Sequence, residues 1–245
     1  MQNRLKFLIL LFSAFFISSC TTMYIPNMEN VPLMQKKGDI KLNISTSNLQ
    51  TSYALTNNIA IMVNGYIRGN KYTDDFFCPY KSKRLLAEVG AGYFMLFPNK
   101  IIFEAYGGAG YGNVNIKRDF EDYMFINKSG TFSANISRYF IQPNIGYKND
   151  IVELAFSSRF TCLKFSDIKT KDITYEDLVA KKLYQVDVPT YFFVEPALTV
   201  RVGFKWVKAH FQIMYSTKLN SEPLNYLDFG FNIGICFDIS KALRK

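Results

Sequence analysis

The segment Leu227–Ile239, which reads LDFGFNIGICFDI, decides the fold class. Large apolar side chains occupy every second position of this segment, and small or polar residues occupy the positions between them. A period of two places the apolar side chains on one face of a β-strand. A row of seven large apolar groups is more than a water-exposed sheet face carries. The segment therefore predicts a strand with one apolar face and one polar face.

The same alternation recurs upstream and predicts an all-β chain. It is clear in Phe192–Phe204, where apolar residues alternate with Glu195, Thr199 and Arg201. Aromatic residues make up 16% of the chain, which suits strands better than helices. The pattern predicts ten strands, with eight as the alternative count, at positions 39–46, 49–55, 59–68, 84–96, 101–116, 130–147, 151–165, 189–204, 206–216 and 226–239.

The connections between these strands alternate in length. Short turns on one rim and long loops on the other are typical of antiparallel outer-membrane barrels. An even strand count places both termini at the turn side, where a lipidated N-terminus in the inner leaflet would fit. Tight turns are expected at Thr56–Asn58, Pro98–Lys100, Lys148–Asp150 and near Lys205, and long loops at Gly69–Lys83, Lys117–Ser129, Ser166–Val188 and Thr217–Asn225.

The distribution of charge predicts which face of the sheet points inward. A soluble lipocalin-like ligand carrier would have an apolar interior, and its polar face would meet water. Unpaired ions buried in a soluble core would cost several kcal/mol each, so the polar face is expected to line a lumen and the apolar face to meet lipid. The residues expected to form a structural charge network in the lumen are Lys41, Arg68, Glu88, Glu104, Glu153, Arg159, Glu195, Arg201, Lys208 and Asp228.

Those ten charges balance, with five acids against five bases. They divide into a layer near the turns, around Glu153, and a layer nearer the loops, around Glu195. A barrel of ten strands has a narrow interior, and a selective pore more often carries rings of one sign. Ion pairs that close the lumen are therefore the main expectation, and a narrow transport pore is the alternative.

The N-terminus carries the signals of a secreted lipoprotein. Arg4 and Lys6 precede an apolar run, Phe7–Ile17, that is too short to span a bilayer. The run ends in Ile17-Ser18-Ser19-Cys20, which resembles a bacterial lipobox, so a lipid is expected on Cys20. The predicted organisation is a signal peptide at 1–19, a lipid-anchored spacer at 20–38, the barrel at 39–240 and a basic tail at 241–245.

A family resemblance agrees with this organisation. The first quarter of the chain resembles uncharacterised small outer-membrane β-barrel lipoproteins of Bacteroidetes bacteria, and the rest resembles them only in its strand pattern. The resemblance implies an envelope-structural or surface-interaction role and supplies no catalytic residues. It rests on Cys20, Tyr24, Pro26, Asn27, Asn30, Pro32, Leu33, Lys37 and Gly38, on Tyr53-Ala54-Leu55-Thr56 and on Ile59–Gly65.

Little in the sequence indicates catalysis or a cofactor. His210 is the only histidine, and its mid-strand position argues against a barrel hydrolase with a catalytic pair at the outer rim. Scattered cysteines with one histidine give no metal-ligand spacing, so no metal or other cofactor is expected beyond the covalent lipid.

The long loops indicate the partners. In the Ser166–Val188 loop, Thr174, Glu176 and Asp177 precede apolar residues and predict a short capped helix. Lysines around this loop and at Lys81 and Lys83 suit outer-membrane lipid, including lipopolysaccharide phosphate. No nucleic-acid partner is expected, and the sequence identifies no protein partner.

Overall fold

The computed structural model describes residues 22–72, 80–121, 127–180 and 182–243, and most of these lie in β-strands. The predicted signal peptide, Cys20 and the last two residues of the tail lie outside the described residues. In chain order the strands are β1 (Ile40–Ser45), β2 (Asn48–Ala54), β3 (Ile59–Tyr72), β4 (Tyr80–Phe97), β5 (Ile101–Glu121), β6 (Asn127–Lys148), β7 (Val152–Lys171), β8 (Thr190–Gly203), β9 (Val207–Tyr215), β10 (Thr217–Lys218) and β11 (Phe229–Asp238).

The strands form one closed antiparallel barrel. Each strand from β1 to β8 pairs with the next strand along the chain, β9 pairs with β11, and β11 pairs with β1. The two-residue β10 only extends the pairing along β8. Ten strands therefore make the wall, and the predicted ten-stranded antiparallel barrel is confirmed.

The two rims of the barrel differ, but β3 and β4 run into the predicted loop Gly69–Lys83, and β5 and β6 run into the predicted loop Lys117–Ser129, so these two connections are shorter than predicted. We call the rim at 55–58, 98–100, 149–151 and 204–206 the turn side and the opposite rim the loop side. One loop-side connection is short, because only Thr46 and Ser47 join β1 to β2. These two strands have 6 and 7 residues, whereas β4 and β6 have 18 and 22, so the wall is much lower at β1 and β2.

Side chains alternate strictly between the outside and the interior. In β9, for example, Phe211, Ile213 and Tyr215 are exposed, while His210, Gln212 and Met214 are buried. The exposed positions of the wall carry mainly apolar residues, so the outer surface is apolar over most of the circumference. Further examples are Ile44, Val63, Val89, Ile145, Phe156, Phe192, Phe231 and Ile235.

The loop-side half of the interior is apolar. Phe132, Phe165 and Phe193 point inward there, and Leu183 and Val186 of the β7–β8 connection cover them. The predicted short helix of that connection is present as α1 (Tyr175–Ala180). Thr174 Oγ1 caps it by accepting a hydrogen bond from the Asp177 amide at 3.2 Å.

The wall ends at Asp238, and a short helix, α2 (Ile239–Leu243), follows it. Lys241 of α2 lies 2.8 Å from Asp150 in the β6–β7 turn. The hydrogen bond and positive charge of Lys241 lower the pKa of that exposed carboxyl group. Within the described ranges, no helix has the length and apolar character needed to cross a membrane.

Candidate functional site: a plugged and charged lumen

The N-terminal segment from Thr22 to Gly38 runs through the lumen, and Lys36 and Lys37 near its end are exposed. Met23, Asn27, Glu29, Val31 and Met34 are each fully buried. The sequence predicted that residues 20–38 form a spacer ahead of the barrel. The structure instead places the described part of this segment inside the barrel, and we call residues 22–38 the plug.

The plug runs from the loop side to the turn side. At its start, the Met23 amide donates a hydrogen bond to the Asn225 carbonyl in the loop-side β10–β11 connection, at 2.8 Å. At its end, the Gly38 amide donates to the Ala54 carbonyl beside the turn that follows β2, at 2.9 Å. The expectation that both termini lie at the turn side holds for the end of β11 and is wrong for Thr22, because the plug crosses the lumen before β1 begins.

Wall side chains satisfy the backbone of the plug. A chain without a strand partner must find other partners for its buried N–H and C=O groups. Arg84 donates to the Thr22 carbonyl, and Glu104 accepts from the Met34 amide at 2.8 Å. The other contacts are Arg159 to the carbonyl of Asn27 (3.3 Å), Gln50 to that of Met28 (2.8 Å), Gln142 to that of Asn30 (2.8 Å), Arg201 to that of Val31 (2.7 Å), Lys148 to that of Leu33 (2.8 Å), and Gln212 to both backbone groups of Glu29.

Arg138 is the centre of the charge network nearer the loop side. Its guanidinium lies 3.1 Å from a carboxylate oxygen of Glu88 and 2.6 Å from one of Glu195, and all three side chains are fully buried. The plug joins this network, because the Tyr24 hydroxyl donates to Glu195 at 2.8 Å and Asn27 donates to Glu88 at 2.7 Å. Wall and plug therefore share the same carboxylates.

Glu153 is the centre of a second network, nearer the turn side. Its carboxylate accepts hydrogen bonds from Lys41 at 2.9 Å, Arg201 at 2.9 Å and Lys208 at 3.0 Å. Asp238 adds a second carboxylate 3.4 Å from the ammonium group of Lys41. This cluster also binds the plug, since Arg201 donates a hydrogen bond to the Val31 carbonyl.

The structure places eight of the ten predicted network residues inside the barrel: Lys41, Glu88, Glu104, Glu153, Arg159, Glu195, Arg201 and Lys208. Arg68 is only half-buried, at the edge of the loop-side rim. Asp228 is exposed and lies just before β11. Its assignment to the lumen is wrong, because the inward alternation begins only where β11 starts to pair with β9, at Phe229.

Several charged residues inside the barrel were not identified from the sequence. Arg138 and Lys148 lie on β6 with the same parity as Gln142 and Asn144, so strict alternation would have found them. Asp238 lies on the face already identified as polar in the last strand. Glu29 carried no signal, because the plug has no periodic pattern.

The buried charges balance. Among the described residues, seven acids face seven bases: Glu29, Asp39, Glu88, Glu104, Glu153, Glu195 and Asp238 against Lys41, Arg84, Arg138, Lys148, Arg159, Arg201 and Lys208. The set carries no net charge, and its ion pairs can hold the plug in place, although both carboxylate oxygens of Glu29 are without a hydrogen-bond partner among the described residues.

His210 is part of the lumen wall. Its Nδ1 accepts a hydrogen bond from Arg201 Nε at 3.0 Å, and its ring is fully buried. Arg201 in turn binds Glu153 and the plug. Over the described part of the chain, no group of three or more histidine, cysteine, aspartate or glutamate residues is arranged to hold a metal ion.

Three lysines form a basic patch on the outer wall near the loop side. Lys81 lies directly opposite Lys117 across β4 and β5, and Lys83 is the next outward residue on β4. Together with Ile67 on β3 they line a groove of about 610 Å³. Like charges directly opposite each other repel, so this patch favours an anion.

A second surface feature is a cleft above the low β1–β2 hairpin. It has a volume of about 520 Å³, and it opens between Ser47 of the hairpin and Phe229 of β11. Ile25 and Met28 of the plug form its inner wall. We call it the lateral cleft.

The chain matches no known protein family, no curated protein and no solved structure.

Proposed function

We propose that the protein is an outer-membrane lipoprotein whose barrel spans the membrane with a sealed lumen, and that its role is envelope-structural or surface interaction. The observation that carries this proposal is the contrast between the two faces of the wall. Apolar residues such as Val89, Phe156 and Ile233 are exposed, while charged and amide side chains are buried inside. This distribution suits a barrel surrounded by lipid.

The contrast between the apolar outer face and the charged inner face also favours a barrel in lipid over a soluble ligand carrier. A soluble barrel would expose a belt of Ile, Val, Leu and Phe to water around most of its circumference, far more than the few hundred Å² that soluble monomers expose in one patch. The central and turn-side interior would also offer a ligand mainly ion pairs and plug backbone. The lipobox before the plug and the resemblance to Bacteroidetes barrel lipoproteins agree with this proposal.

The plug argues against a transport pore. Wall side chains from both halves of the lumen bind its backbone, from Arg84 near the loop side to Lys148 near the turn side. Moving the plug aside would leave Glu88, Glu104 and Glu195 with fewer hydrogen-bond donors in a buried space, which costs about 1–3 kcal/mol for each lost partner. Opening a narrow pore through the lumen would therefore require many hydrogen bonds between the wall and the plug to break together.

The basic patch would bind the headgroups of anionic lipids. Lys81, Lys83 and Lys117 lie near the loop-side ends of their strands, where an outer-membrane barrel meets the outer headgroups. A phosphate of lipopolysaccharide or of another anionic lipid, bound between Lys81 and Lys117, would compensate their positive charges and relieve the repulsion between them. The proposal needs no catalytic residue and no cofactor other than the lipid on Cys20.

A Cys20→Ala variant tests the membrane assignment. Palmitate labelling should disappear, while the variant should still require detergent for extraction, because the apolar wall is a second and independent membrane signal. A folded Cys20→Ala protein that stays soluble without detergent would overturn the spanning barrel. In planar bilayers the wild-type protein should show no steady conductance, and a stable open channel would overturn the sealed lumen.

A further inference from the structure

The wall of the barrel has a gap above β1 and β2. The six residues of β1 rise about 15 Å along the barrel axis at a strand tilt of about 40°. Outer-membrane barrels present an apolar band about 25 Å tall. In the loop-side half of the bilayer, lipid would therefore meet the lateral cleft instead of a paired strand.

The lateral cleft is lined mainly by apolar side chains but carries one unsatisfied donor. Met28, Leu227, Phe229 and Phe231 contribute the apolar lining. Asn232 also lines it, and its Nδ2 is buried with no hydrogen-bond partner among the described residues. A buried donor without an acceptor costs free energy, but most of the lining is apolar, so the cleft suits an apolar chain.

The described chain begins next to this cleft. Arg84 binds the Thr22 carbonyl, and Arg84 lies directly opposite Arg68, which lines the cleft. Cys20 precedes Thr22 by two residues, and two peptide units span at most about 7.6 Å. The turn-side leaflet is farther away than this reach allows, because the whole plug separates Thr22 from the turn side.

We propose that an acyl chain of the lipid on Cys20 occupies the lateral cleft and that the anchor therefore lies in the loop-side leaflet. This inference rests on the proposed function, because it requires a lipid on Cys20. The acyl chain matches the apolar lining formed by Met28, Phe229 and Phe231. The lipid would replace the missing part of the wall.

Photo-crosslinking in cells tests this placement. Tyr66 is buried and lines the cleft, so p-benzoylphenylalanine in its place puts a crosslinker of similar shape there. Tyr139 is exposed on β6, and the same replacement there is the matched control. Phe229 is a second cleft position if the Tyr66 variant fails to fold. Mass spectrometry of the peptides identifies the captured chain and the lipid state of Cys20.

Crosslinks from position 66 or 229 should join the acyl chains of the Cys20 peptide, and those from position 139 should join free membrane lipid. The Cys20→Ala background should abolish the first product and leave the second. Capture of only free lipid from the cleft, or no capture while position 139 reacts, would overturn the placement. An N-terminal peptide without acyl chains would instead contradict the lipoprotein assignment itself.

Discussion

The side-chain amide of Gln212 pairs with both backbone groups of Glu29. Its Oε1 accepts from the Glu29 amide at 3.0 Å, and its Nε2 donates to the Glu29 carbonyl at 2.9 Å. A wall side chain thus makes the two hydrogen bonds that a neighbouring strand would make in a sheet. The polar lumen can be understood in this way, because the plug needs bonding partners and the strands are already paired with each other.

We expect Gln212→Leu to loosen the plug. The substitution leaves an amide and a carbonyl of Glu29 buried without partners, at about 1–3 kcal/mol for each group. Denaturant unfolding of the refolded protein in lipid vesicles measures the loss, and hydrogen exchange at the Glu29 amide should become faster. Ala209→Leu places a leucine on the outward face of the same strand and should cost little. Equal losses for both variants would contradict the role of Gln212.

Arg138→Leu should be among the most damaging single substitutions in the lumen. It leaves the buried carboxylates of Glu88 and Glu195 without their shared guanidinium, and breaking a buried ion pair in this way costs about 3–5 kcal/mol. Arg68→Leu is the matched control, because Arg68 is half-buried at the rim. Its effect on the free energy of unfolding should be below about 1 kcal/mol.

Neutralising the carboxylates distinguishes charge from packing in that network. The triple variant Arg138→Leu, Glu88→Gln and Glu195→Gln should recover most of the stability that Arg138→Leu loses, because no unpaired buried charge remains. Unfolding in vesicles measures all the variants. A triple variant as unstable as the single one would show that the shape of Arg138, and not its charge, holds the lumen together.

The barrel could be predicted from the sequence because its signals are local. Alternation along each strand identifies the two faces, and the connection lengths identify the two rims. The plug could not be predicted, because residues 22–38 have no period and their burial depends on a lumen that the rest of the chain builds. Asp228 shows a related limit, since alternation alone cannot tell where pairing begins.

The glycines of β5 follow the same division between faces. A Cβ added to Gly108 would lie 2.4 Å from Phe140 Cζ and 2.5 Å from the Val89 carbonyl oxygen, whereas one added to Gly107 meets nothing closer than 3.9 Å. We expect Gly108→Ala to destabilise the barrel by about 1–3 kcal/mol through overpacking. Gly107→Ala should be neutral by the same unfolding measurement. A neutral Gly108→Ala would mean that this part of the lumen is loosely packed.

Ile233 and Asn232 are neighbouring residues on opposite faces of β11. Ile233 is exposed and lies five residues from the turn-side end of the strand, about 13 Å along the barrel axis, close to the middle of the apolar band. Ile233→Arg should therefore cost about 2–4 kcal/mol. Asn232→Gln should cost less, because it keeps the side-chain amide and the lateral cleft of about 520 Å³ has room for the extra methylene group. Both variants are compared by denaturant unfolding in vesicles, in a Cys20→Ala background so that no acyl chain occupies the cleft. If Ile233→Arg proves no more damaging than Asn232→Gln, the outward face does not meet lipid, and the soluble carrier becomes the better account of this barrel.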